Sequence, residues 1–271
     1  MKKFLKISFF LLFTTSFSGC EKVIEFDLSD AKKVIVIEAA INNRRIPVTV
    51  KVSMTSPYFL AGSENPVSGA KVSIHIDKGS SVYFTETKPG IYTLEDIVIT
   101  DENWYNIDVE YDGKKYSARS YMPKLVPIAD LQITYFDGLG LFDSGYKIVC
   151  FVIDPPNEEN YYRFKYSVNG KPVDDHGDIS VYSDKLFNGE IVGLTQGAFV
   201  FQKTDTLTVE MQSIDKAAYQ YFSTLRTITA TETLQSASPS NPISNFNNGA
   251  LGYFSVYTYE RRRLIIKDYI K

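Results

Sequence analysis

Apolar and polar residues alternate along several short segments in the first half of the chain. In 47–54 three valines at alternate positions separate polar residues, which is typical of a strand with one buried face. In 71–77 the same pattern predicts a strand whose polar positions, Ser73 and His75 among them, point to solvent. Strands are predicted in this way at 34–40, 47–54, 71–77, 82–87, 90–94, 105–111 and 115–120. Short strands at this spacing predict a β-sandwich.

Turn and breaker residues divide the chain further. The pairs Asp112-Gly113 and Asn169-Gly170 each predict a tight hairpin, because both residue types accept a positive φ. Two prolines in 122–127 interrupt any strand ladder and predict a linker there. Beyond it, strands are predicted at 131–136, 146–154, 161–168, 206–211, 252–259 and 264–270. A Gly-rich break is predicted at 137–145, polar loops at 174–178 and 183–193, and a Ser/Asn/Pro-rich loop at 231–248.

One segment has helical periodicity. Ser213 is predicted to cap it, and Asp215 to place a carboxylate in the first turn. The helix is predicted over 215–227 from apolar residues at helical spacing, which are Ile214, Ala218, Tyr221, Phe222 and Leu225. With 19 tyrosines and 18 phenylalanines, the rest of the composition favours strands. We therefore predict an all-β protein with one packed helix.

The first twenty residues have the pattern of a lipoprotein signal. Three lysines precede an apolar run at 4–13 that is too short to span a bilayer, and small residues follow it. Cys20 comes directly after Ser18-Gly19, which resembles a bacterial lipobox in which the thiol receives acyl chains such as palmitate. We predict a signal peptide at 1–19, lipidation at Cys20 and a tether at 20–33. An ordinary signal peptide with an incidental cysteine is the alternative.

The net charge argues against a nucleic-acid-binding protein, and the cysteine content argues against a disulfide within the chain. The chain carries a formal net charge of −3, and loss of the three lysines in 1–19 makes the mature chain more acidic. An acidic body does not fit nucleic-acid binding, which needs a basic surface. Only two cysteines occur, so acylation of Cys20 leaves Cys150 without a disulfide partner. Cys150 lies in an apolar segment and is predicted to be a buried thiol.

Candidate catalytic and metal-binding residues are few. The chain contains two histidines, and no motif places either beside a nucleophile and a carboxylate as a triad requires. His176 lies among three aspartates in 174–178, and two interpretations stay open, a solvated acidic turn or a cation site. Glu158 and Glu159 are either an exposed polar loop or a carboxylate pair for glycoside cleavage. No catalytic, cofactor-binding or metal-binding residue is assigned.

Two further sequence features each have two possible interpretations. The run Arg261–Arg263 either contacts a lipid phosphate or a carboxylated partner, or it blocks edge pairing at a strand end. Adjacent aromatics such as Tyr161-Tyr162 and Tyr253-Phe254, and the pair Tyr257 and Tyr259, are either buried on both sheet faces or partly exposed as platforms for sugars or peptides.

Short motifs spread along the chain resemble known families. The order P-V-S-G-A-x-V at 66–72 and P-G-x-Y-x-L at 89–94 resembles transthyretin-like or carboxypeptidase-regulatory-like sandwiches over 34–120. The mature chain as a whole resembles Bacteroidota lipoproteins of the family DUF4249. The segments that carry this second resemblance are the lipobox with 21–24 (EKVI), 56–59 (SPYF), 66–70 (PVSGA), 89–92 (PGIY), 154–156 (DPP) with 159–162 (ENYY), 184–189 (DKLFNG), 241–243 (NPI) and 249–254 (GALGYF).

The resemblance implies a role but no chemistry. Members of that family are often encoded near TonB-dependent outer-membrane receptors, which implies an accessory role in uptake, and the family transfers no catalytic residues. We expect an immunoglobulin-like or transthyretin-like sandwich at 34–121 and a second β-rich domain with the helix at 128–271. The loops 154–162, 184–189 and 241–253 are expected to face the partner.

The expected function follows from the anchor and the absence of a catalytic motif. We expect a non-catalytic, lipid-anchored outer-membrane protein that serves a TonB-dependent receptor or captures a small ligand, peptide or glycan. A structural or adhesive surface protein is the main alternative, and a surface hydrolase is another. No nucleic acid is expected as a partner.

Overall fold

The computed structural model describes residues 33–44, 47–56, 65–77, 79–140, 143–173, 179–195, 199–232 and 240–270. Cys20, the predicted signal peptide and most of the tether lie outside these residues, as does the acidic loop around His176. The described residues belong to one compact unit, Lys33–Ser56 with Gly62–Lys271. No helix among them is long and apolar enough to cross a membrane.

Strands make up most of the described chain. The strands before the predicted linker are β1 (Ile35–Asn42), β2 (Val48–Met54), β3 (Lys71–Ile76), β4 (Val82–Tyr83), β5 (Thr85–Lys88), β6 (Ile91–Leu94), β7 (Asn103–Tyr111) and β8 (Lys114–Met122). Those after it are β9 (Ile128–Phe136), β10 (Gly145–Ile153), β11 (Tyr161–Val168), β12 (Lys171–Pro172), β13 (Ser180–Ser183), β14 (Ile191–Thr195), β15 (Thr206–Ile214) and β16 (Leu251–Ile265). The helix α1 is Lys216–Glu232, and short 3-10 helices lie at Asp184–Leu186 and Ile266–Asp268. The all-β class with one packed helix is confirmed.

A nine-stranded sheet forms the central layer. Its strand order is β12-β11-β15-β16-β1-β2-β6-β5, and β13 also pairs with β11. At its centre β1 and β16 pair in parallel, with Val36 opposite Leu251 and Asn42 opposite Tyr257. The sheet therefore contains strands from both sides of the predicted linker. The division of the chain into domains at 34–121 and 128–271 stays a prediction.

Two smaller sheets cover the inner face of this central layer. The sheet β4-β3-β7-β8 closes the first core, where Ile37 and Val50 of the central layer pack with Ile107 of β7. The sheet β14-β10-β9 closes the second core, where Val209 and Met211 of β15 pack with β10. Cys150 lies in the second core as a fully buried free thiol, as predicted. Alternate residues of the central strands face these cores, and β16 contributes to both, with Phe254 in the first and Leu264 in the second.

The helix α1 lies on the opposite, outer face. Phe222 packs against Tyr253 of β16, with ring centroids 4.9 Å apart, and the guanidinium of Arg163 lies 3.7 Å from the centre of the Phe222 ring. Ala218 and Ile214 complete this third apolar cluster. Tyr253 has the opposite parity to Phe254 of the first core, so one strand contributes to clusters on both faces.

Two local predictions about strands and loops are wrong. Arg261–Arg263 do not split two strands, because β16 runs unbroken from Leu251 to Ile265. Long guanidinium side chains let an arginine keep strand geometry while its charge reaches solvent or a carboxylate. Segment 183–193 is not one polar loop, since it contains a 3-10 helix and the start of β14.

The helix also begins differently from its prediction. Asp215 is the capping residue, because the backbone N–H of Ala218 donates to its Oδ1 at 2.8 Å. Ser213 lies in β15 instead, where its Oγ accepts from the N–H of Val126. The helix extends beyond the predicted end at 227 to Glu232. An aspartate satisfies the same unpaired N–H groups as a serine, so either residue fits the sequence pattern.

Candidate functional site

Two of the loops expected to face a partner meet in one hydrogen-bonded network. The buried carboxylate of Asp154 accepts from the hydroxyl of Tyr162 and from the N–H of Gly189. The buried carboxylate of Asp184 accepts from the N–H of Asn160 at 2.8 Å, and the Asp184 N–H donates to the Asn160 carbonyl. The 154–162 and 184–189 loops therefore hold each other in place through their own polar groups.

Burial changes the acid–base properties of this network. Desolvation raises the pKa of Asp184, and the nearby Asp154 acts in the same direction. Desolvation and the hydrogen bond to Asp154 raise the pKa of Tyr162, so its hydroxyl stays a proton donor. Both carboxylates already bind backbone groups, so the network stabilises the loops. That these two loops form a partner surface stays a prediction. Leu186, in the second loop, is 94% exposed.

The third loop, 241–253, is also held in place by hydrogen bonds to neighbouring parts of the fold. Asn245 exchanges hydrogen bonds with the backbone of Phe254 at 2.7 and 2.9 Å. Asn247 pairs with the backbone of Ser117 of β8, and Asn248 donates to the carbonyl of Lys115. The loop thus joins the start of β16 to the edge strand β8, which is a structural role.

A groove of about 510 Å³ opens on the outer face of the central sheet, beside the part that α1 covers. We call it the outer groove. Its walls combine the outer-face residues of β11, β15 and β16 with aromatic side chains from the second core. The residues that line it are Asn42, Phe164, Lys165, Tyr166, Ser167, Gly170, Pro172, Val173, Phe199, Thr208, Glu210, Tyr257, Tyr259, Arg261 and Arg263.

Tyr259 lies between two guanidinium groups in this groove. Arg44, from the turn after β1, lies 5.2 Å from the centre of its ring, and Arg261 lies 5.4 Å away. These distances are within the range of cation–π attraction. Glu210 holds Arg261 in place at 2.5 Å, and the hydrogen bond between them raises the pKa of Arg261. The Arg261 side chain is nevertheless 57% exposed, so its guanidinium faces the groove and solvent.

Neighbouring polar residues fix the rest of the lining. Tyr257 accepts a hydrogen bond from Asn42 at 3.2 Å, and burial raises the pKa of its hydroxyl. Glu210 also accepts from Gln212 at 2.7 Å. Tyr257 and Tyr259 have their ring centroids 6.2 Å apart, as expected for residues two apart on one strand face. The groove thus has a tyrosine floor with cationic groups along it.

The other sequence-predicted residues lie apart from this groove. Glu158 and Glu159 are exposed, and Glu159 accepts from Tyr161 and from Lys216, which lowers its pKa. Tyr161 and Tyr162 are both buried, on opposite faces of β11. This result matches the interpretation of two-sided burial.

The prediction for His75 and Ser73 is wrong. Ser73 is buried, and His75 is half-buried with a Nδ1 atom that has no hydrogen-bond partner among the described residues. His75 lines a cavity of about 420 Å³ with Ile97 and Val98. The segment after β6 lies beside this part of β3, so His75 is not fully exposed to solvent.

Metal binding has no support from the described part of the chain. There, no group of three or more histidine, cysteine, aspartate or glutamate side chains is arranged to hold an ion. The acidic loop around His176 lies outside it, so both interpretations of that loop stay open.

The outer groove was not predicted as a site. The signal for it was nevertheless present, because Tyr257, Tyr259, Arg261 and Arg263 share one parity. Reading 251–265 as a single strand places all four on one face. The assumption of a break at the arginines concealed this arrangement.

Comparison with known proteins identifies the family but no function. No curated protein matches the chain. A family model described as "Domain of unknown function (DUF4249)" matches residues 21–263. The expected family is therefore confirmed, and the chain belongs to the DUF4249 family.

Proposed function

We propose that this chain is a lipid-anchored, non-catalytic binding protein that captures an anionic ligand in the outer groove for an outer-membrane uptake system. The observation that carries the proposal is the lining of the groove, where tyrosine rings and cationic side chains lie on one rigid strand face. Sites for small ligands combine apolar or aromatic walls with a few placed polar groups in this way.

The charges of the lining favour an anion. The lining contains three cationic side chains, Lys165, Arg261 and Arg263, and one carboxylate, that of Glu210. The Glu210 side chain is only 13% exposed and already binds Arg261. A guanidinium can bind a carboxylate through two parallel hydrogen bonds, which gives both affinity and orientation. An incoming carboxylate would therefore meet a cation that its neighbours have already positioned.

The aromatic groups favour a ligand with a flat or ring-shaped apolar face. Tyrosine offers a large contact area with little loss of side-chain entropy on binding. Sugar rings fit this requirement, and a carboxylate on the sugar would bind the cationic side chains of the lining. We therefore propose an acidic glycan as the ligand of the outer groove.

Anchoring and uptake rest on the sequence. The lipobox-like segment at Cys20 supports attachment to a membrane, and the family's gene association supports a TonB-dependent receptor as the partner. The groove supports a capturing role within such a system.

The binding test uses the full-length protein in detergent micelles. Isothermal titration calorimetry compares an oligosaccharide that contains uronic acids with a neutral oligosaccharide of the same length. We expect binding of the acidic compound only, weakened about tenfold in Tyr259→Ala and in Arg263→Gln. Arg119→Gln is the matched control, because Arg119 also lies over an aromatic ring, that of Trp104, but far from the groove in sequence and sheet. Equal binding of the two oligosaccharides would contradict the proposal.

The anchor and the partner have separate tests. Cys20→Ser should abolish partitioning into detergent, and wild-type membrane fractionation of this variant would contradict the lipoprotein assignment. Crosslinking in intact cells, followed by mass spectrometry, should link the protein to a large outer-membrane barrel. If cell adhesion depends on the protein and no barrel is crosslinked, the adhesive alternative is favoured instead.

A further inference from the structure

The edge strand β9 of the small sheet β14-β10-β9 has unpaired backbone groups on the side away from β10. Tyr146 of β10 exchanges both backbone hydrogen bonds with Phe201, on the side away from β9. Tyr135 lies opposite Tyr146, so the pair is a non-hydrogen-bonded one and the N–H and C=O of Tyr135 point out of the sheet. Ile133, two residues earlier, has the same orientation. Among the described residues, neither backbone has a partner on that side.

The two halves of this edge differ. At the start of β9 the N–H of Ile128 donates to Glu260, and its carbonyl accepts from Arg262. The N–H of Leu131 donates to the side chain of Asp130, and β9 has an extra residue, Ala129, where its register with β10 shifts. Side-chain caps and bulges of this kind are the usual protection of an edge strand against pairing. The segment 132–136 has no such cap among the described residues.

A groove of about 850 Å³ runs along this edge. We call it the edge groove. One wall is β9 with Ile133 and Tyr135, and Tyr135 is 57% exposed. The other wall comes from two segments that are bonded to each other, since the N–H of Lys267 donates to the carbonyl of Lys203 at 3.1 Å. Both lysine side chains line the groove, are exposed and form no ion pair with a described residue.

The charge of the edge groove indicates which strand fits it. The lining contains Lys203 and Lys267 against Asp130, whose carboxylate already binds Leu131 and Gln132. An added strand would place side chains alternately toward the sheet face and toward the lysines. Apolar residues at one parity and carboxylates at the other would satisfy both walls.

We propose that the edge groove binds an extended acidic segment of a partner protein, which adds as a strand beside residues 132–136 of β9. Backbone hydrogen bonds to Ile133 and Tyr135 supply the affinity, and Lys203 and Lys267 select acidic side chains. Strand addition of this kind is a general mode of peptide recognition. This surface is separate from the outer groove and its proposed ligand.

The test uses full-length protein in detergent and two synthetic probes. One peptide alternates valine with glutamate, and the other alternates valine with lysine. Fluorescence anisotropy should show binding of the acidic peptide only. Ile133→Pro should weaken it about tenfold or more, because it removes an outward N–H and leaves the bonds between β9 and β10 intact. Lys203→Glu combined with Lys267→Glu should reverse the preference. Lys88→Glu combined with Lys114→Glu, which makes the same charge change at exposed positions elsewhere, should not.

Hydrogen exchange gives a readout that tests the strand geometry directly. Bound acidic peptide should slow exchange of the Ile133 and Tyr135 amides. Peptide binding that leaves these amides unprotected, or that Ile133→Pro does not affect, would overturn the proposal. So would failure of wild-type protein to bind the acidic peptide. Dimerisation that Ile133→Pro abolishes would overturn it in favour of a second copy of the chain. None of these results depends on whether the outer groove binds a glycan.

Discussion

The two faces of the central sheet have different surroundings although the same strands supply both. The inner face is apolar and covered by two smaller sheets. The outer face is apolar only beneath α1, where Tyr253 contacts Phe222, and it becomes polar and aromatic toward Arg261 and Arg263. Because side chains alternate across a strand, a single segment such as β16 can build a core on one side and a binding surface on the other.

This difference separates stability from recognition along one strand. Residues such as Phe254 and Val256 stabilise the fold through burial, whereas Tyr259 and Arg261 line the outer groove beside Arg44 and Glu210. Substitutions can therefore be chosen that disturb both faces, the outer face alone or the inner face alone.

The largest effect is expected from Gly252→Ala, which disturbs the sheet that both faces share. Gly252 has φ +92°, and an added Cβ would lie 2.0 Å from the carbonyl oxygen of Ile37, its partner across the β1–β16 pair. Backbone strain and this clash should lower the free energy of unfolding by about 5 kcal/mol. Urea denaturation followed by circular dichroism measures the change.

Gly249→Ala is the control for that substitution. Gly249 also has a positive φ, +76°, but an added Cβ would meet nothing within 4 Å. Only the conformational cost remains, about 1–3 kcal/mol. Equal losses of stability in the two variants would show that the close approach of β1 and β16 is not required.

The next largest effect is expected from Phe222→Ala, which removes part of the apolar contact between α1 and the outer face. Phe222→Ala removes the ring that packs between Tyr253 and Arg163, and it should lower the free energy of unfolding by about 3–5 kcal/mol. Gln220→Ala, on the exposed side of the same helix, should change it by less than about 0.5 kcal/mol. An unchanged denaturation midpoint for Phe222→Ala would contradict the packing of α1 against the sheet.

A smaller effect concerns the link between α1 and β8. Asp215 caps the helix at Ala218 and accepts from the N–H of Tyr121 at 3.0 Å, so Asp215→Ala should cost about 2 kcal/mol. Burial raises the pKa of Asp215, so the folded state holds this proton more tightly than the unfolded state. The stability of the wild type relative to Asp215→Ala should therefore fall as the pH rises above about 4. A difference between the two proteins that grows with pH would be contrary to this.

The smallest effect tests the inner face through Cys150. Burial raises the pKa of this thiol from 9.0 to about 12, so above pH 9 the unfolded state loses a proton that the folded state keeps. The free energy of unfolding should fall by about 1 kcal/mol between pH 9 and pH 10 relative to Cys150→Ala. Reaction of the native thiol with a maleimide at pH 8, at the rate of the unfolded chain, would refute its burial.

Local patterns predicted much of the fold. Alternation located most strands, and the Asp112-Gly113 turn has the expected positive φ at both residues, 50° and 69°. These features depend on neighbours in sequence, which is why a single sequence reveals them. Asn169-Gly170 is confirmed in the same way, with φ of 52° and 81°.

Long-range arrangements were not accessible from the sequence. Nothing local indicates that β1 pairs with β16, or that Arg44 approaches Tyr259 from the turn after β1. The wrong assignment of His75 has the same origin, because Ile97 and Val98, which lie beside it, follow β6 in the chain. The edge groove also depends on a contact between Lys203 and Lys267 that only the folded chain creates.

The parallel pair at the centre of the sheet determines how the chain can fold. Asn42 and Tyr257, which are hydrogen-bonded there, are 215 residues apart in sequence. Contacts of such separation carry a high entropic cost of loop closure and slow the folding rate. During synthesis, β1 emerges long before its partner and must wait with one edge unpaired. The central layer therefore closes only after nearly the whole chain has been made, and exposed strand edges make that interval the stage most vulnerable to aggregation.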